Sequence, residues 1–160
     1  MTIAAAALPT HDPALEAALR RGLDDVEAVL ASAVAEVHAA FGDATGHLMA
    51  AGGKRFRPLL TVLASQLGSG AGPDVVKAAA VVELTHLASL YHDDVMDEAA
   101  LRRGTASANA QYGNTVAILT GDLLFARASR IVAELGPDVG ARMPPVLPAE
   151  WLPERAVVPA

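Results

Sequence analysis

Apolar residues recur at steps of three and four from Leu15 through Leu19, Leu23, Val26, Leu30, Val34 and Val37 to Phe41. That spacing is one face of an amphipathic helix of about seven turns. Asp12-Pro13 supplies a capping carboxylate and a proline at the first helical position. Residues 1–12 read as a flexible leader, and Gly42 to Gly46 reads as the end of the first helix. A second joint, Gly52-Gly53, precedes Lys54-Arg55-Phe56-Arg57-Pro58. Pro58 is expected to open the next helix, carrying Leu59, Leu60, Val62, Leu63 and Leu67. Gly68 to Pro73 reads as a loop, Asp74 to about Glu98 as a long helix, and Arg102-Arg103-Gly104 as a loop. A further helix starts near Ser107 or Asn114 and carries Val116, Ile118, Leu119, Leu123, Leu124 and Ile131. Its pattern fades at Leu135-Gly136. Six of the ten prolines then fall in residues 137–160, where helical periodicity is lost and Pro144-Pro145 forbids a helix.

Composition sharpens this picture into an all-α fold. The chain has 160 residues, long enough for one domain with a core, and 52% of them are hydrophobic, mostly the helix formers Ala and Leu with Val. A net charge of −6 argues against nucleic acid as the main partner, which requires a basic surface. The absence of cysteine excludes disulfides and thiolate metal sites and fits a cytoplasmic protein. No apolar run is long enough for a transmembrane helix, the N-terminus lacks the basic start of a signal peptide, and no internal repeat is present.

The chemistry concentrates in the long helix. Leu90-Tyr91-His92-Asp93-Asp94-Val95-Met96-Asp97-Glu98 sets three aspartates at i, i+1 and i+4 in an apolar run. Residues four apart stack on one helical face, so Asp93 and Asp97 can share one ion, with Asp94 beside them. Carboxylates near a core are costly unless a cation neutralises them. Mg²⁺ is the hard cation that suits one or two carboxylates together with substrate phosphates. Glu83, His86, Asp93 and Asp97 fall near one polar stripe. Lys54 and Arg57, three apart after two glycines, suit a diphosphate, as do Arg102 and Arg103.

In this order these blocks resemble the trans-isoprenyl (polyprenyl) diphosphate synthase family. The likeness is carried by residues 52–58, by Glu83 to Asp97, by Arg102-Arg103-Gly104 and by Gly121-Asp122-Leu123-Leu124, and spans roughly residues 15–136. It implies the N-terminal part of an isoprenoid synthase helical bundle around a deep cavity. It also implies a Mg²⁺-dependent prenyltransferase that joins isopentenyl diphosphate to an allylic diphosphate. By the likeness, Asp93 and Asp97 are catalytic carboxylates binding Mg²⁺, with Asp94 in support. Arg102 contacts the allylic diphosphate, and Lys54, Arg57, His86 and Arg103 hold isopentenyl diphosphate. Family members set product length just before the aspartates; Ser89, Ala88 and Thr85 there are small, which implies a product longer than fifteen carbons. Tyr91 is the nearest bulky side chain. A homodimer, or a full-length synthase partner, is the implied assembly.

Two features depart from the family. Its members are about twice as long, and residues 105–160 contain no second aspartate-rich motif, since Asp122 and Asp138 are isolated. The tail is rich in Pro, Arg and Ala, the composition a shifted frame gives in GC-rich DNA. The expectation is a synthase domain over 13–136, interrupted near Gly136, followed by a tail foreign to the family. One alternative is a non-catalytic subunit that binds a diphosphate or a synthase partner. Another is a di-iron carboxylate bundle, for which Glu83-x-x-His86 would be one element; no second copy of that element exists.

Overall fold

A computed structural model describes residues 11–35 and 42–138. Among these residues there are six helices and one small hairpin. They are α1 (Pro13–Ala35), α2 (Gly42–Ala50), α3 (Phe56–Ser65), α4 (Pro73–Met96), β1 (Leu101–Arg102), β2 (Thr105–Ala106), α5 (Ala108–Tyr112) and α6 (Asn114–Leu135).

Helix α1 starts where the sequence places it. The Asp12 carboxylate accepts from the amides of Ala14 at 2.9 Å and Leu15 at 3.2 Å, satisfying two of the donors a helix leaves open at its start. Leu19, Leu23, Val26 and Leu30 are buried along one stripe. Val37 and Phe41, expected on the same stripe, lie outside the described residues.

The segment from Gly42 to Gly46 corrects the sequence expectation, because it is the first half of α2 rather than a terminator. Glycine costs a helix about 1 kcal/mol relative to alanine. Burial of Ala44, Thr45 and Leu48 offsets that cost. The buried Tyr91 hydroxyl fastens α2 to α4 by donating to the Ala44 carbonyl and accepting from the Leu48 amide at 3.2 Å. Burial pushes the Tyr91 phenol up to about 12.

Helix α4 is the axis of the fold. Its buried residues, from Val76 through Ala79, Ala80, Val81, Leu84, Leu87 and Ala88 to Tyr91, take up more than half of its circumference. A helix with so broad an apolar face must be packed by several others, and α1, α3, α5 and α6 supply that packing. Helix α6 runs antiparallel to it, with Lys77 meeting Glu134 at one end and His92 meeting Asp122 at the other.

Small residues let these two helices approach. A Cβ on Gly121 would stand 2.4 Å from His92 Nε2, so the ring occupies the place of a side chain. His92 Nε2 reaches the Ile118 carbonyl at 3.2 Å, and its ring tilts against Phe125. Gly22 plays the same part between α1 and α3, where a Cβ would lie 2.6 Å from Val62 Cγ1.

The loop expected at Arg102-Arg103-Gly104 is the turn end of a small hairpin. Arg102 pairs with Thr105 across a two-residue turn, and both turn residues have positive φ, 53° for Arg103 and 81° for Gly104. A tight hairpin turn demands that conformation; glycine adopts it freely, whereas a residue with a side chain pays about 1 kcal/mol. Helix α6 ends at Leu135 with Gly136 beyond it, where the sequence pattern fades. Of the tail expected to be irregular, Pro137 and Asp138 have helical backbone and the rest lies outside the described residues.

Candidate functional site

The loop between α2 and α3 folds the basic residues of the Gly-Gly segment into a cleft. Gly52 has a φ of 85° and Arg55 a φ of 48°, so the chain turns twice in the left-handed region before entering α3. The cleft holds about 510 Å³ and is lined by Lys54, Arg57, His86 and Arg103, with Gly52, Gly53, Arg55 and Glu83. Lys54 and Arg57 are exposed; His86 and Arg103 are half-buried. The four side chains expected to hold one diphosphate, drawn from the α2–α3 loop, α3, α4 and the hairpin, therefore surround one space. Pro58 lies in the first turn of α3, where its missing N–H costs nothing.

Electrostatics in the cleft follow from this crowding of cations. His86 is lowered to about 4, chiefly by burial, then by the charges of Arg57 and Arg103. It is neutral near pH 7 and offers an imidazole N–H rather than a charge. Arg103 donates from Nη1 to the Leu48 carbonyl at 3.0 Å and to the Gly52 carbonyl, which holds the strained hairpin turn against α2.

Arg55 was not singled out in the sequence, yet it is the most enclosed cation of the loop. Its guanidinium is bonded through Nε to Glu27 Oε1 and through Nη1 to Glu83 Oε1 at 3.1 Å. Burial opposes its charge, and Glu27 and then Glu83 more than offset that. Glu83, expected on the polar stripe, is thus buried and engaged by Arg55. No local signal marks this trio, because Glu27 stands 28 positions before Arg55 on another helix.

At the C-terminal end of α4 the three aspartates part company. Asp93 is half-buried and Asp97 exposed; Asp97 caps the helix, its amide donating to the Asp93 carbonyl at 2.8 Å. Asp94 lies about 100° round the helix from Asp93 and is fully buried. Its Oδ1 accepts from Arg102 Nε at 2.5 Å, while Oδ2 has no hydrogen-bond partner. Among the described residues no three His, Asp or Glu side chains gather closely enough to hold a metal by themselves. The donor set still suits Mg²⁺, which takes one or two carboxylates and leaves its other positions to phosphate oxygens and water.

The residues read as controlling product length also separate. Ala88 is packed in the core, whereas Thr85 and Ser89 are half-buried. Tyr91 is directed at the backbone of α2.

The bundle and these motifs define an all-helical protein of the isoprenoid synthase class. The chain belongs to the polyprenyl synthetase family, whose pattern, described as Polyprenyl synthetase, matches residues 38–147. It is similar to the nonaprenyl diphosphate synthase of Mycobacterium tuberculosis, with 54% identity over 79% of this chain and 38% of that protein. It is also similar to heptaprenyl diphosphate synthase component 2 of Geobacillus stearothermophilus, with 45% identity over 71% of this chain and 36% of that protein. The fold matches geranylgeranyl pyrophosphate synthase of Corynebacterium glutamicum, solved with calcium and isoprenyl diphosphate. The TM-score is 0.73 at 46% identity, over 84% of this chain and 41% of that one. The chain thus spans about two fifths of the length of these relatives. Among the described residues no helix is long and apolar enough to cross a membrane.

Proposed function

We propose that this chain carries the isopentenyl diphosphate site and the first aspartate motif of a Mg²⁺-dependent prenyltransferase that extends an allylic diphosphate beyond fifteen carbons. The observation that carries the reading is the convergence of Lys54, Arg57, His86 and Arg103 on one cleft. Lys54, Arg57 and Arg103 bind diphosphate oxygens as charged donors. Neutral His86 donates one further hydrogen bond without adding to the crowding of cations.

Asp93 and Asp97 hold Mg²⁺, which when bound supplies positive charge to a departing diphosphate. Arg102, kept at the helix end by buried Asp94, adds a fixed cation to the same leaving group. Asp94 acts in support through Arg102. Cleavage of the allylic C–O bond leaves a cation that the isopentenyl double bond attacks, and a proton is then lost. Ser89 and Thr85 are small, half-buried positions one and two turns before the aspartates, which leaves room for a long product.

Isothermal titration with isopentenyl diphosphate tests the site. The chain is expected to bind it, and Lys54→Ala and Arg57→Ala are each expected to weaken binding by roughly tenfold or more. Binding that is unchanged in both variants would remove this reading.

A second reading, a partner subunit of a larger synthase, is favoured by large apolar side chains exposed on two helices, Phe56, Leu60, Ile118 and Leu119. The relative named as component 2 of a heptaprenyl synthase is consistent with it. Self-association as a homodimer would cover the same kind of surface. Co-elution with a full-length synthase, measured against elution of the chain alone, separates the two assemblies.

A further inference from the structure

We infer that Arg55 is a positioning residue, clamped by Glu27 of α1 and Glu83 of α4 so that the Gly52–Arg57 loop presents Lys54 and Arg57 to the cleft. The inference rests on the diphosphate-binding reading but concerns residues outside the diphosphate contacts, and Glu27 lies outside the family match at residues 38–147.

Arg55 borders the cleft but is only 6% exposed, and its Nε, Nη1 and Nη2 are turned to Glu27 and Glu83 rather than to anything entering from solvent. Both oxygens of Glu27 face it, Oε1 toward Nε and Oε2 at 3.5 Å from Nη2, while Glu83 Oε1 takes Nη1 at 3.1 Å. A planar guanidinium held on two edges has one orientation, which a lysine ammonium could not reproduce. That orientation fixes the backbone of Arg55 in the left-handed region, with φ of 48°. A residue with a side chain remains there only where its surroundings enforce it. The exposed neighbours, Lys54 before it and Arg57 after it, are thereby turned toward the cleft.

Gly53 completes the device. A Cβ there would lie 3.1 Å from Arg55 Nη1 and 3.0 Å from Arg103 Nη1, so the loop passes between the two guanidinium groups. Glu27 and Glu83 together more than balance the charge of Arg55, so the positive charge offered to the cleft by this segment is that of Lys54 and Arg57.

The test uses Glu27→Gln and Arg55→Lys in the full chain, with two readouts. Hydrogen exchange of the amides of residues 52–57 needs no ligand; it is expected to speed up on the order of tenfold in both variants, with α6 amides unchanged. Titration with isopentenyl diphosphate below the melting transition is expected to show an affinity loss on the order of tenfold. A merely structural role would lower the melting temperature and leave the affinity of the folded molecules intact, which would overturn the inference. Exchange at residues 52–57 equal to the parent would overturn it as well, whether or not the diphosphate binds. Absence of binding by the parent chain would instead overturn the functional reading alone, and the exchange data would still decide the role of Arg55 in the loop.

Discussion

Gly121→Ala offers a sharp test of how α4 and α6 are joined. The added methyl would stand 2.4 Å from His92 Nε2 and 2.6 Å from Cδ2, well inside contact distance. The ring can swing away, giving up the Ile118 carbonyl at 3.2 Å and its packing on Phe125. Those losses amount to about 1–2 kcal/mol. If the helices separate instead, overpacking costs about 1–3 kcal/mol. The gain in helix propensity returns about 1 kcal/mol, so the net destabilisation expected is about 1 kcal/mol. With His92→Ala the obstruction is gone, and only the propensity gain remains, about 1 kcal/mol of stabilisation. Urea denaturation of the four proteins in the cycle, followed by far-ultraviolet circular dichroism, should therefore give a coupling energy of about 2 kcal/mol between the two sites. A Gly121→Ala effect of the same sign and size in both backgrounds would refute the account of glycine as the seat of the histidine ring.

Tyr91→Phe deletes the hydroxyl that ties α4 to the backbone of α2, and should cost about 1–3 kcal/mol in chemical denaturation. Arg102→Met leaves the buried Asp94 carboxylate without its partner and should cost about 3 kcal/mol, read as a lowered denaturation midpoint. His86 gives a pH dependence with a definite sign. Its folded value, about 4, lies below the ordinary 6.5, so the unfolded chain binds more protons between those values. Its contribution is therefore fully present above pH 6.5 and is lost as pH falls toward 4. In denaturation curves across that range, His86→Gln should flatten the slope, and an unchanged slope would count against the buried, cation-flanked placement. Ser89→Phe should shorten the product of a complete synthase assembly carrying this chain, seen by chromatography of the prenyl alcohols; Ala88→Phe is a poorer probe, because Ala88 is packed in the core.

The four longest helices and most of their ends followed from the sequence, because they depend on local spacing. The Asp12-Pro13 start, the apolar stripe of α1, the span of α4 and the end of α6 near Gly136 are properties of neighbours within a few residues. The motifs were legible for the same reason, since aspartates four apart on a helix share a face whatever surrounds them. Only the tertiary structure decided that Gly42 to Gly46 is helix, because burial against Tyr91 outweighs the glycine penalty. It alone separated Asp94, buried on Arg102, from Asp93 and Asp97, and gathered Lys54, Arg57, His86 and Arg103 from four segments around one cleft. The clamp on Arg55 was invisible in the chain, because Glu27 and Glu83 each lie 28 residues away from it. Sequence spacing settles what neighbours on one helix do together; which distant charges meet is settled by how the helices pack.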